Sequence, residues 1–520
     1  MLFSFHYSFA ILWYTGLATM ITLGILYPPT MYLNMNIFLE ESPSSSSFFL
    51  SVEKEDKKRM MISIFSVCGI YVGMELLQCL SSLRMRTPSL PSSLPALPST
   101  VSNTSSSYRH HLMIACHNTD LCQLKSIVQN WKEATQRVIH LWIAENGILI
   151  HEDEEKKKYC ESEGVHYRYY SIASKTHALY ETARCIAEQY RVSDLSSLYL
   201  ILMDDDTKLP VPFHLRDSLF TEDDWVAGYT CCIGIDKNPH HFHWWEHLID
   251  FEYRTLSWRN GIKSHFTGTI SFLHGIFCVY RMDAFLDIYR RNPCRPPGQL
   301  PFGEDSYAGL DARLHGWKLK QDNTQCVYTY CPPRVFPPWF VSSSFSLLPS
   351  SRVQGYGASS LWKQRACRWY LSWLRRFPAE WGLIWFYDTG TWSGNINYRL
   401  DFLKYCFITF SATFWFLYLL KLSLHHSNFM VYLYLHLGLA VTAQITGYLR
   451  YWCMSSVIKE DVLWYIPLFY PLLLVINSFF MGCAFFKSIL WYIPFFRRRH
   501  GPHGPHRHEP PPPPPPNIEG

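Results

Sequence analysis

The chain has 520 residues, of which 17% are aromatic and 17% charged, with a formal net charge of +5. That length allows two or three domains, and the composition is too apolar and too aromatic for an ordinary soluble enzyme; it favours a membrane class. So small a net charge, with no long basic block, argues against a nucleic-acid partner.

The 16 cysteines show no C-x-x-C pair and no regular spacing. That pattern suits reduced packing residues in a cytosol-facing domain rather than a disulfide framework. Cys231 and Cys232 read as strand filler.

Along the chain, residues 5–27 are apolar and uncharged, long enough to span a bilayer. They lack a basic leader and a small-residue cleavage site, so the sequence predicts a retained helix. Residues 60–80 are a second candidate, weakened by Glu75. Together 1–86 form an N-terminal membrane region, followed over 87–107 by a tether rich in Pro and Ser.

From 108 to 369 the pattern changes to alternating strands and helices. Strands are predicted over 111–116, 138–144, 198–203 and 225–233, and helices over 120–131 and 175–190. Such alternation implies an α/β domain with a mostly parallel sheet and helices on its faces. Residues 370–400 mix Trp, Phe and Arg and read as an amphipathic segment in the membrane interface. Over 401–496, spans are predicted at 402–420, 430–449 and 462–480; the stretch to 496 adds a further span or an interfacial helix. The tail over 497–520, rich in His and Pro, is expected to be disordered.

The chemistry-bearing residues are concentrated in 108–369. Asp204, Asp205 and Asp206 close the apolar strand at 198–203. Ligands of open α/β sheets gather at that edge, and two carboxylates one residue apart can grip a divalent cation that neutralises a diphosphate. Asn118 follows the first strand and Glu145 ends the second. Lys175 opens a predicted helix, where a cation and free backbone N–H groups suit phosphate. His274 and Gly275 lie in a loop, Glu304 and Asp305 precede another helix, and Gln364, Arg365, Arg368 and Trp369 end the region.

By residue type alone, each has a plainer reading as well. These are a solvated acidic turn, an Asn-Gly turn after Glu145, a surface lysine, an N-cap at Asp305, a strand with a glycine kink at Gly275, and an interfacial basic-aromatic helix at Arg368 and Trp369. His240, His241, His243 and His247 read as surface or interface residues, because no cysteine or carboxylate set completes a zinc site.

Taken in order, these features resemble the membrane-embedded processive family-2 glycosyltransferases: the hyaluronan, chitin and cellulose synthases and related fungal polysaccharide synthases. The resemblance covers most of 108–400 and the flanking helices. It implies a GT-A-like fold, a mostly parallel mixed sheet with flanking helices, joined to N- and C-terminal transmembrane helices and an interfacial helix. It implies a cytosolic catalytic domain on a multi-pass protein of the plasma membrane. The implied reaction is inverting transfer from a UDP-sugar donor to a glycan acceptor, giving a β-linked polymer that leaves across the lipid bilayer.

By resemblance, Asn118, Glu145, Lys175, Asp204 and Arg368 would contact UDP, and Asp206 with Asp204 would hold Mg²⁺ or Mn²⁺. Asp305 would be the general base, and Glu304, His274, Gly275, Gln364 and Trp369 would line the acceptor. The family's QxxRW signature is irregular in this chain: in strict register Arg365 takes the glutamine's place, and Gln364 fits only with one extra residue before Arg368. That irregularity favours an alternative, a non-processive relative making a glycolipid or short glycan. A non-catalytic membrane protein with a degenerate transferase domain is the third reading.

Overall fold

A computed structural model describes residues 109–117, 119–135, 139–147, 153–237, 244–295, 303–332, 335–336, 360–376 and 429–492. The expected spans at 5–27, 60–80 and 402–420, the tether, Asn118, His240, His241, His243, most of the interfacial segment and the tail lie outside the described residues.

The order begins β1 (Arg109–Cys116), α1 (Leu121–Ala134), β2 (His140–Asn146), α2 (Glu154–Ser162), β3 (His166–Tyr170), α3 (Lys175–Ala187) and β4 (Leu198–Asp204). It continues with β5 (Val226–Ile235), α4 (Trp244–Thr267), β6 (Phe277–Arg281), α5 (Met282–Arg291), α6 (Glu304–Leu314) and β7 (Lys318–Thr329). These strands form one seven-stranded sheet in the order β3-β2-β1-β4-β6-β5-β7. The first half is parallel; β6 runs antiparallel to both β4 and β5, and β7 is parallel to β5. The sheet is therefore mixed, with the expected parallel character confined to one half and the β5–β7 edge.

The apolar run of β4 is continuous because both faces of the sheet are covered. Tyr199, Ile201 and Met203 point into one core with Leu112, Ile114 and the α1 residues Leu124 and Val128. Leu198, Leu200 and Leu202 point into the other, with Met113, Leu179 of α3 and Phe285 of α5. The chain leaves β1 toward β2 and β3 on one side and later returns to β4 on the other. The crevice between the C-terminal ends of β1 and β4 is thus a topological switch point, where such sheets take their ligands. Ala115 pairs with Asp204 in that register, so the acidic triplet opens into this crevice.

Two helix starts are set locally. The Ser174 hydroxyl accepts the His177 N–H at 3.2 Å and caps α3, so Lys175 is its first residue. At α6 the cap is Gly303 with φ of 91°, a left-handed conformation that glycine takes without strain. The Asn292 amide donates to the Glu304 carbonyl at 2.9 Å and fixes that end.

A second helical layer lies after the sheet. Over 361–376, named α7, an α turn at Leu361–Gln364 gives way to a π turn at Arg365–Trp369 and then to α-helix again. It is followed by α8 (Phe429–Cys453) and α9 (Tyr470–Tyr492). The expected span at 430–449 falls within α8. Among the described residues, the stretch Ile466–Phe485 is the one helix long and apolar enough to cross a membrane, and it overlaps the span expected at 462–480.

This layer is docked to the sheet domain. Met454, Ile458, Ile466 and Leu473 share the core of Ile233, Trp245 and Phe251. Beneath them Arg254 of α4 pairs with Asp250 at 2.9 Å and donates to the Ile458 carbonyl at 2.9 Å.

Gly309 of α6 lies against the 271–272 backbone: a Cβ there would stand 2.4 Å from the Ser271 carbonyl oxygen and 2.6 Å from the Phe272 Cα. Backbone cannot swing aside as a side chain does. Gly309→Ala is expected to destabilise the domain by about 1–3 kcal/mol, read as a lowered thermal midpoint of the detergent-purified chain. An unchanged midpoint would show that α6 is not so tightly seated.

Candidate active site

The acidic triplet does not act as one unit. Asp205 turns inward: its carboxylate accepts the Thr119 hydroxyl, and its carbonyl accepts the Gln123 amide at 2.8 Å. Burial raises its pKa to about 7, with Asp204 adding to the rise and Thr119 opposing it. Asp206 accepts the Thr329 hydroxyl at 3.2 Å, from the end of β7. Burial, then the charges of Asp204 and Asp205, push its pKa up to about 8. Asp204 forms an ion pair with Lys175.

Lys175 also lies 3.3 Å from a Glu304 carboxylate oxygen. One ammonium therefore joins the end of β4, the start of α3 and the start of α6. Gly275 backs onto the same group: a Cβ there would stand 3.7 Å from Lys175 Nζ, 3.8 Å from the Asp305 Cβ and 3.8 Å from a Glu304 oxygen. The loop after Gly275 is tied to the triplet, because the Ile276 carbonyl accepts both the Asp204 N–H and the Thr207 hydroxyl at 3.1 Å.

Glu304 and Asp305 are neighbours with opposite electrostatics. Burial works against the charge of Glu304, but Lys175 and Arg368 outweigh it and hold the carboxyl below its ordinary pKa. Asp305 is raised to about 6 by burial and by the Glu304 charge, while the Ser306 N–H, Arg376 and Lys175 oppose the rise. A pair of carboxyls whose surroundings drive their pKa values apart marks one as a fixed anion and the other as a proton acceptor near neutral pH.

The segment that carries Gln364, Arg365, Arg368 and Trp369 contains a π turn. A π turn inserts one residue into an α-helix, and here the Tyr370 N–H donates to the Arg365 carbonyl five residues back. Arg368, within this turn, comes close enough to Glu304 to bias its ionisation. Arg365 is buried in an ion pair with Glu252. Gln364 carries a buried side-chain oxygen that accepts no hydrogen bond among the described residues. Trp369 is exposed, its ring edge-on to Tyr253 at 6.0 Å.

Two other expected residues stand apart. Glu145 is buried, bonded to Lys156 Nζ at 2.5 Å and to the Tyr167 hydroxyl, so both its oxygens are engaged within the fold. His274 is buried against Phe272 and 3.3 Å from the Asn260 amide, and burial lowers its pKa to about 4, which keeps it neutral.

Several residues of the site carried no sequence signal: Thr119, Thr329 and Arg376. Each comes from an element distant in the chain. Arg376, which donates to the Ser306 carbonyl at 3.0 Å, was the most accessible of them, as a basic residue one helical turn beyond Trp373.

A divalent cation fits the triplet. Among the described residues no three His, Cys, Asp or Glu side chains are gathered into a closed metal cage. A Mg²⁺-type site needs only one or two carboxylates completed by phosphate and water. Burial is the main cause of the rise at Asp206; the smaller share from the charges of Asp204 and Asp205 is what such an ion would relieve.

No family model and no curated protein sequence matches the chain. Among solved structures it is similar to residues 1–349 of S. aureus TarS in complex with UDP-GlcNAc, with 11% identity, 73% of this chain and 92% of that chain covered, and a TM-score of 0.32. It is also similar to GalNAc-T7 with UDP, GalNAc and Mn²⁺, at 14% identity, 56% and 55% coverage and a TM-score of 0.31. For S. aureus TarS the figures are 9%, 44% and 37%, and 0.28. The chain thus spans about a third to a half of the length of these last two. Likeness this distant assigns nothing to the chain, and the site residues must speak for themselves.

The raised pKa of Asp305 is also a statement about stability. Its folded value of about 6 lies above the ordinary 3.8, so ionising it works against the fold. Its favourable contribution is complete below about pH 4 and is lost as pH rises through 6. Asp305→Asn keeps the shape without the charge and is expected to raise the thermal midpoint at about pH 8 while leaving it nearly unchanged at about pH 4. Equal shifts at both pH values would show that Asp305 is not held against its charge.

Proposed function

We propose that the chain is a membrane-bound inverting glycosyltransferase that moves a sugar from a UDP-sugar to a growing β-linked polysaccharide. The observation that carries this reading is the Lys175 ammonium set between Asp204 and Glu304, with Asp305 beside it, at the switch point of the sheet. It supplies what the reaction needs: a place for a diphosphate leaving group and a proton acceptor within one crevice.

The donor diphosphate would lie over Asp204 and Asp206, with Lys175 and Arg368 as cations toward it. Mg²⁺ or Mn²⁺ held by Asp204 and Asp206 supplies charge neutralisation for the departing UDP when bound. Asp305 takes the proton of the acceptor hydroxyl as its oxygen attacks the anomeric carbon. The bond from that carbon to the diphosphate oxygen breaks, and its electron pair leaves with UDP. One displacement inverts the anomeric centre, so an α-linked donor gives a β-linkage. Glu304 stays ionised and holds Lys175 in place. Trp369 offers an indole face on which an acceptor ring can stack.

Gln364, whose buried side-chain oxygen accepts no hydrogen bond among the described residues, stands at the start of the turn that carries Arg368 and Trp369. Glu145, bonded on both oxygens, would meet the uracil only as a fixed acceptor. The polymer reading is supported by the docking of the apolar helix Ile466–Phe485 onto the same domain, which would set the site beside a bilayer.

Purified chain with a panel of UDP-sugars and Mn²⁺ is expected to release UDP with at least one donor and to yield a ladder of long products on a size-separating gel. A single-sugar product would establish the non-processive alternative. No UDP release with any donor would exclude the enzyme.

Asp305→Asn should lower transfer by roughly 10²–10⁴-fold with UDP binding nearly intact. Chelation with EDTA should stop transfer, and Asp206→Ala should weaken UDP binding in Mn²⁺. Transfer by Asp305→Asn within a few-fold of the parent would remove Asp305 from the base role, and activity in EDTA would remove the metal.

A further inference from the structure

Beneath the Arg368–Trp369 turn lies a polar knot, closed around the buried Arg365, that transfer itself does not use. Arg365, the first residue of the π turn, is 1% exposed. Its guanidinium donates to Glu252 Oε1 of α4 at 2.8 Å and through its second nitrogen to the other Glu252 oxygen. The same guanidinium donates to the Asn477 side-chain oxygen at 2.5 Å, and the Asn477 amide nitrogen donates to Glu252 Oε1 at 2.9 Å. Three helices, α4, α7 and α9, meet in this closed triangle.

Asn477 lies within Ile466–Phe485, the apolar helix suited to a bilayer. An amide in such a helix is unfavourable unless it is partnered, and its partners here are Glu252 of α4 in the sheet domain and Arg365 of α7. An amide is also suited to the corner it fills, because it accepts from a guanidinium and donates to a carboxylate at once. Aspartate would repel Glu252, and leucine would satisfy neither partner.

The other side of the knot faces Trp369. The Arg365 guanidinium lies 5.6 Å from the Trp369 ring centre, within cation–π range. Tyr253, the residue after Glu252, meets the same ring edge-on. Trp369 is 41% exposed, so general burial does not fix its orientation; the guanidinium and Tyr253 do.

We propose that Asn477 and Glu252 are positioning residues that carry the placement of the membrane helix α9, through the buried Arg365 guanidinium, to the Trp369 platform. A shift of α9 would then tilt the surface on which the acceptor stacks, while Lys175, Asp204 and Asp206 stay in register with β4. The proposal rests on the reading of Trp369 as an acceptor platform, and part of its test is independent of that reading.

The test uses full-length chain in detergent, with Asn477→Leu and Glu252→Gln, each alone and combined with Trp369→Ala. Glu252→Gln keeps its size and loses the charge, so it serves if Asn477→Leu fails to fold. Hydrogen exchange of amides over 361–376 should quicken roughly tenfold in either variant, with no change over 198–204. With an active donor, the acceptor KM should rise roughly tenfold while UDP release into water stays within about twofold. In the Trp369→Ala background Asn477→Leu should add nothing further, because both act through one ring.

Unchanged exchange over 361–376 would overturn the linkage, whether or not any sugar is transferred. Additive effects of Asn477→Leu and Trp369→Ala would overturn it too. Faster exchange in a chain that releases no UDP from any donor would support the linkage and defeat the enzymatic reading instead.

Discussion

The candidate site depends on one ammonium. Lys175 draws Asp204 and Glu304 toward a common point, one from the end of β4 and the other from the start of α6. Without that charge, Asp204, Asp205, Asp206, Glu304 and Asp305 would be crowded carboxyls, each raising the others' cost of ionisation. With it, negative charge is uneven: Glu304 is held as an anion, while Asp305 and Asp206 are pushed toward their protonated forms. That unevenness separates a proton-accepting corner from a corner suited to a cation.

The same unevenness explains why α6 begins where it does. A helix N-terminus favours negative charge, and Gly303 lets the chain turn sharply into that end without strain. The turn brings α7 into close contact: a Cβ on Gly303 would stand 1.9 Å from the Ser372 hydroxyl. The carboxylate pair is therefore wedged between the sheet and the helix that carries Arg368. On the proposed function, the two halves of the reaction, leaving group and proton acceptor, are held by two different packings that meet at Lys175.

Much of the first half was legible in the sequence. Strands β1 and β4 are buried on both faces, so they read as unbroken apolar runs, and the triplet at the end of β4 stands out against them. The starts of α3 and α6 were legible too, because Ser174 and Gly303 act within one turn of chain.

Of the strands in the second half, β5 was legible, as the strand expected over 225–233, and the others were not. Strand β6 inserts between β4 and β5, a pairing fixed by contacts far apart in sequence. Strand β7 carries buried Gln321 and Asp322 and shifts register after Cys231, so neither period nor composition marked it as a buried strand. Glu145 looked like a residue open to a ligand because its partners, Lys156 and Tyr167, come from α2 and β3. The π turn at Arg365–Trp369 was not legible either, because sequence alone assumes one helical period.

The π turn is the place where these scales meet. It begins at Arg365, which faces the α9 knot, and ends at Trp369, which is exposed. Across the π turn the first residue stays buried against Glu252 and Asn477 while the last is exposed. Such a turn persists only where its surroundings hold it, and here the holding contacts come from α4 and α9 together. The π turn and the docking of the apolar helix are thus one structural fact seen from two sides.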